Sequence, residues 1–158
     1  MSHDSLTSEA YALLAEEAHL LDDRAYASWL ELFVDDCLYW MPVDPESGDG
    51  TMRLNVFYDD RARMEDRVTR LSSGSAYTEE PVSLTSRTFS ALQIVPEDNG
   101  CLVRSNFMMV AYRSGEQRLL GGRYQHRLVR SDGVLRIAEK RVTLLGSDAP
   151  QRPMTFLF

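Results

Sequence analysis

LLDDRAYASWLELFVDDCLYWMPV, residues 20–43, runs a helix end, a second helix and a strand together. Tyr26, Trp29, Leu30 and Phe33 fall at i, i+3, i+4 and i+7, the apolar stripe of an amphipathic helix. Asp22 and Asp23 stand just before it, where helix-start residues belong. The spacing predicts a helix over roughly Arg24 to Val34. Cys37-Leu-Tyr-Trp-Met then reads as a short strand near 37–41, ended by Pro42.

Upstream, Thr7 or Ser8 can cap a helix running to about Leu21, leaving residues 1–6 as a flexible arm. Ala10, Leu13, Leu14, Ala18 and Leu21 form its buried stripe, and the acid Glu17 falls on the same side. Downstream, Asp44-Pro-Glu-Ser-Gly-Asp-Gly50 has loop composition. Asn55-Val-Phe-Tyr-Asp-Asp60 leads into a third helix over about Asp60 to Leu71, with Met64, Val68 and Leu71 as its apolar ridge. Asp59/Arg63 and Asp66/Arg70 have the favourable acid-before-base i, i+4 order.

After Gly74 the pattern changes to period two. Ser86–Val95, Cys101–Arg113, Arg118–Arg130 and Val134–Leu145 read as four strands, separated by Pro96-Glu-Asp-Asn-Gly, Ser114-Gly-Glu-Gln and Ser131-Asp-Gly. Short turns between consecutive strands make an antiparallel meander. The expectation is one α+β domain over 1–158. It is mainly helical over 7–71, has a four-stranded meander over 86–145 and ends in a tail over 146–158, with the helices on one face of a curved sheet.

The chain has 158 residues and a formal charge of −7, which argues against nucleic acid, since phosphate binding needs a basic face. Its basic residues are one lysine, Lys140, and sixteen arginines. Arginine suits interfaces, although composition by itself does not locate a site. Cys37 and Cys101 lie in apolar strand patterns, which favours a reduced, cytoplasmic chain over a disulfide scaffold. No apolar run approaches a membrane span, and MSHDSLTSEA lacks the basic start and apolar core of a signal peptide.

No iron site is legible. A Rieske cluster needs two cysteines and two histidines, and no histidine follows either cysteine at the required spacing. A mononuclear site needs two histidines and a carboxylate converging, whereas His3, His19 and His126 are scattered. No metal, cofactor or catalytic residue is therefore assigned to this chain. His126 alternates with Leu120, Gly122, Tyr124 and Leu128, so it faces inward. It is either a general base in a pocket or a histidine bonded to a Tyr, a Glu or the backbone. Tyr58, Asp59, Tyr112 and Glu17 are further pieces of an isomerase-type pocket, without a distinctive spacing. Gly121-Gly122 sits mid-strand, where glycine marks a bulge or bend.

The LLDD helix end, the Trp29-Leu30 helix and the YWMPV strand together resemble the small (β) subunit of aromatic-ring-hydroxylating dioxygenases, the Rieske non-heme iron oxygenases. A second block carries the same resemblance: Tyr58-Asp-Asp-Arg61, Arg67-Val-x-Arg-Leu71, Gly74-x-Ala76-Tyr77 and Glu80-Pro81. Ser73 and Tyr77 stand where the family has Thr and Trp. From Pro81 on, Ser83, Thr85 and Ser90 match. Leu84 and Ser86 replace common arginines, Arg87 replaces a histidine and Ala91 an asparagine. Ala138-Glu-Lys-Arg-Val142 resembles the last long strand, and Met154–Phe158 the apolar tail.

The resemblance implies a cystatin-like cone, the fold of nuclear transport factor 2 and ketosteroid isomerase. It implies a non-catalytic subunit supporting a large (α) subunit, commonly three of each on a trimeric base. That partner carries the Rieske [2Fe–2S] cluster and the mononuclear Fe(II), with electrons from a reductase, sometimes through a ferredoxin. Tyr39, Trp40, Tyr58, Asp59, Asp60, Arg61, Arg67 and Arg87 are the candidate subunit-interface residues. Two other readings stay open. One is a standalone cone-fold isomerase or dehydratase using Tyr58, Asp59, Tyr112 and His126. The other is a small-ligand-binding or dimerising module.

Overall fold

The computed structural model describes residues 2–43, 55–72, 82–146 and 156–158. The Asp44–Gly50 loop and the segments around Gly74–Pro81 and Met154 lie outside the described residues. Helix α1 spans His3–Asp22. It starts earlier than a cap at Thr7 or Ser8 would allow, because the Ser2 side chain accepts the Ser5 N–H. The expected arm is therefore already helical from His3. Ala10, Leu14, Glu17 and Leu21 form its buried face.

Arg24 has a φ of 59°, which turns the chain sharply after α1. Helix α2 covers only Tyr26–Leu30, not Arg24 to Val34. The helical stripe continues in sequence to Phe33, but Phe33 already pairs with Ile137 as the first residue of strand β1, Phe33–Pro42. Sheet pairing thus overrides helical periodicity there, and β1 is longer than the 37–41 expected. Asn55–Asp59 is a strand too, β2, an antiparallel edge partner of β1 with Tyr39 opposite Asp59 and Trp40 opposite Tyr58. Helix α3 follows over Arg61–Ser72, capped by Asp60 Oδ1 accepting the Arg63 N–H at 3.0 Å.

The meander is present as β3 (Leu84–Glu97), β4 (Gly100–Arg113), β5 (Glu116–Ser131) and β6 (Val134–Leu144). Ser114-Gly115 and Asp132-Gly133 all have positive φ, as two-residue hairpin turns require. The sheet order is β2-β1-β6-β5-β4-β3. All neighbours are antiparallel except β1 and β6, which run parallel, so the sheet is mixed and open. Helix α1 crosses the inner face: Glu17 reaches β5 and β6, and Asp22 reaches β3. Helices on one face of a strongly bent sheet make the expected α+β cone.

Two irregularities aim residues into that cone. Ala91 has a φ of 56° and interrupts the β3–β4 register between Ser90 and Gln93. In β6 an extra residue at Ala138 shifts the pairing, with Ile137 opposite Leu128 but Glu139 opposite Arg127. The bulge reverses the alternation. Leu135 and Ile137 point inward before it; Lys140, Val142 and Leu144 point inward after it.

Candidate functional site

The cone interior holds a buried polar cluster. Glu17, on the inner face of α1, is 3 % exposed. Its Oε1 accepts from His126 Nε2 at 2.8 Å. Its Oε2 takes the indole N–H of Trp29 at 2.9 Å and lies 3.0 Å from Lys140 Nζ. Each partner comes from a different element: α2, β5 and β6. Lys140 and His126 are wholly buried. The Lys140 ammonium also lies 4.5 Å from the Tyr124 ring centroid, and Tyr124 stacks on Phe107.

Burial alone would raise the Glu17 carboxyl, but the Lys140 charge, then His126 and the indole bond, outweigh it and hold the group well below the usual carboxylate range. Burial pushes Lys140 down to about 8 against the pull of Glu17. Burial likewise lowers His126 more than Glu17 raises it. At neutral pH the cluster is one carboxylate, one ammonium and a neutral imidazole whose Nε2–H points at Glu17. His126 Nδ1 is then an acceptor, and among the described residues it has no hydrogen-bond partner.

The rest of the interior is filled by the end of the sequence. Phe156, Leu157 and Phe158 are all buried. The Phe158 main-chain oxygen accepts from Lys140 Nζ and, at 3.4 Å, from the Tyr39 hydroxyl, while the Phe158 N–H donates back to Tyr39 at 3.0 Å. The Phe158 ring sits edge-on to Phe107. Arg87 donates to the Leu157 oxygen at 3.0 Å and pairs with Asp22 at 2.8 Å. Among the described residues, Glu17, Arg87, Tyr124, His126, Lys140 and apolar neighbours line a small cavity of about 10 Å³.

The sequence candidates do not come together around His126. Asp59 is buried but is held by Arg67 through a two-pronged pair at 2.7 and 3.2 Å. It does not pair with Arg63 at i+4, because it lies in β2 and not in the helix. Tyr58 is on the other face of β2, packed against Trp40. Tyr112 is 42 % exposed and faces outward on β4. Four of the interface candidates, Tyr39, Trp40, Asp59 and Arg87, are buried in this chain; Tyr39 lies against Phe158, and Arg87 pairs with Asp22 and donates to the Leu157 oxygen. Arg61 is partly committed as well, donating to the Leu30 and Phe33 carbonyls. Tyr58, Asp60, Arg61 and Arg67 keep exposed surface along β2 and α3. Trp40 is buried on the outer face, its indole on Glu139 and its ring under Arg141.

Lys140, Trp29 and Phe158 are the members that sequence reasoning missed. Strict alternation from Leu135 and Ile137 points Glu139 inward, and only the bulge brings in Lys140. Among the described residues no group of three or more His, Cys, Asp or Glu is placed to hold a metal. The side chains do not fit an iron centre: His3 and His19 are exposed on α1, His126 is bonded to Glu17, and Cys37 lies against Met64.

A family model described as the ring hydroxylating beta subunit matches residues 16–149. The small oxygenase component of the p-cumate 2,3-dioxygenase system of Pseudomonas putida is 36% identical over 140 residues, covering 87% of this chain and 78% of the relative. The small subunit of 2-halobenzoate 1,2-dioxygenase of Burkholderia cepacia is 30% identical over 118 residues, covering 71% and 72%. The beta subunit of a benzoate 1,2-dioxygenase from Burkholderia mallei has the same fold, with a TM-score of 0.77 at 24% identity, covering 95% and 96%. The chain therefore belongs to the ring-hydroxylating beta subunits, the small non-catalytic partners of the large oxygenase subunits in aromatic-ring-hydroxylating dioxygenases.

Proposed function

We propose that this chain holds a large oxygenase subunit in a working assembly of three large and three small subunits, the small ones forming a trimeric base. The Rieske [2Fe–2S] cluster and the mononuclear Fe(II) reside in the large subunit, with electrons arriving from a reductase, directly or through a ferredoxin. The family match carries this reading. The interior supports it, because the described core is packed with this chain's own Phe156–Phe158.

The contact with the large subunit runs along β2 and α3. Tyr58, Asp60, Arg61 and Arg67 lie together there with exposed surface, and arginine and aromatics are typical of interfaces. Tyr58→Ala is the cleanest probe, since Arg61 and Arg67 also hold the fold. Producing the large subunit with and without this chain tests the function. Its yield, assembly and oxygen-dependent ring hydroxylation should collapse without this chain and fall severalfold with Tyr58→Ala. Full activity of the large subunit alone would refute the supporting role.

A further inference from the structure

We propose that the outer face of β3–β6 is where this chain meets a second copy of itself, with an apolar strip turned toward the axis that three copies share. This rests on the assembly of three large and three small subunits and assigns the surface that builds its base. Leu84, Met108, Tyr112, Leu119 and Leu145 are between 42 and 74 % exposed. They are neighbours across four strands. Leu84 stands opposite Tyr112, Val110 opposite Leu119 and Met108 opposite Gly121, whose oxygen accepts the Leu145 N–H at 2.9 Å. In β4 the alternate residues Phe107, Met109 and Ala111 are buried on the inner face, so Met108, Val110 and Tyr112 point away from it. Single exposed leucines are ordinary, but a contiguous apolar strip on a sheet face marks a contact.

Gly121 puts a notch in that strip, between Met108 and Leu145. A mid-strand glycine weakens a strand and often marks the close approach of another chain. Gly122 is needed by the fold itself, since a Cβ there would lie 2.1 Å from the Thr143 oxygen. At Gly121 the nearest atom to a Cβ is the Phe107 oxygen at 3.5 Å, an ordinary contact, and the backbone is not left-handed. Nothing among the described residues requires this glycine, whereas a neighbour packed on the outer face would use the space.

Charge and size select the occupant. Residues 100–146 hold nine of the 17 basic residues and three of the 24 acidic ones. Arg104 and Arg123 are exposed on the outer face and line, with Arg141, an open groove of about 580 Å³ beside the strip. The rest of the chain is acidic, so a second copy brings the complementary charge. The β4–β5 pairing runs unbroken from Gly100 to Arg113. At about 3.3 Å per residue and about 4.8 Å between strands, the outer face of β3–β6 along it spans roughly 900 Å². A stable interface buries about 800 Å² per partner. An axis beside the strip lets each copy give one flank to each neighbour. The large subunit is assigned to β2 and α3, and β2 is the sheet edge opposite β3, so both partners fit at once.

The test uses the complex of this chain with its large subunit. The photo-cross-linking residue p-benzoylphenylalanine is placed at position 119 or 145, where the native leucines are exposed, and the products are identified by mass spectrometry. The proposal predicts small–small products from either position. Small–large products alone, or no product at either position, would overturn it. The same probe at position 58 should give small–large products, and its failure would count against the large-subunit contact without touching the small–small result. Gly121→Leu fills the notch. It should keep the circular dichroism of wild type and cut the small–small yield from position 119 about tenfold. An undiminished yield would also overturn the proposal. Should Gly121→Leu fail to fold, Leu145→Glu takes its place with the same expectation.

Discussion

Glu17 joins four elements, since one carboxylate ties α1 to α2, β5 and β6. Glu17→Gln leaves Lys140 charged and enclosed without a counterion, and should destabilise the chain by about 3–5 kcal/mol in urea unfolding. The pH dependence follows from the same cluster. His126 titrates below its ordinary value of 6.5 in the folded chain, so as pH falls through 6.5 the unfolded chain binds a proton that the folded chain refuses. Stability is thus fully present above 6.5 and is lost below it, by up to roughly 1.4 kcal/mol per pH unit. A second loss begins near 4.5, where an unfolded Glu17 takes up its proton while the folded one stays ionised. Thermal midpoints of wild type should fall from about pH 7.5 to about pH 5.5, and His126→Gln should remove most of that fall. An unchanged pH profile in His126→Gln would contradict this assignment. Part of the cluster was legible in the sequence: Glu17 fell on the apolar stripe of α1, and His126 alternated with inward residues of β5. Their pairing was not, because it depends on how far α1 slides across the sheet.

Among the elements, the long meander strands are legible because alternation and the Ser114-Gly115 and Asp132-Gly133 turns agree. Strand β2 is not, because it is five residues long and borders a helix. The parallel β1–β6 pair joins residues about a hundred positions apart, beyond any local pattern. Bulges are equally silent, and that is how Lys140 escaped notice. The β3 bulge places Ala91 at a φ of 56°, strained for alanine but tolerated by asparagine. Ala91→Asn should therefore stabilise the chain by about 0.5–1 kcal/mol, read as a raised urea midpoint. Gly122 behaves oppositely. A Cβ there would lie 2.1 Å from the Thr143 carbonyl oxygen, so Gly122→Ala must push β5 from β6. A loss of about 1–3 kcal/mol is expected, checked in the same unfolding experiment.

The whole molecule is a cone with its own Phe156–Phe158 packed inside, and we propose that β2 and α3 carry the surface that meets the large subunit. The fold and family were legible in the sequence because two motif blocks and a strand meander point the same way. The filling of the cone was legible only in part, because an apolar Met154–Phe158 tail reads as packed either on the sheet or on a neighbouring subunit. Several of the interface candidates belong to the fold itself, since an arginine such as Arg87 or Arg61 looks alike in sequence whether it meets a partner or a buried carbonyl. The central claim is that this chain works by holding an iron-bearing partner. The most direct measurement is native mass spectrometry, with metal analysis, of the complex recovered by a tag on this chain co-expressed with its large subunit. The account predicts equal numbers of large and small subunits, three of each, with all iron lost when the large subunit is omitted. An iron-free homo-oligomer of this chain that leaves the large subunit behind would contradict it.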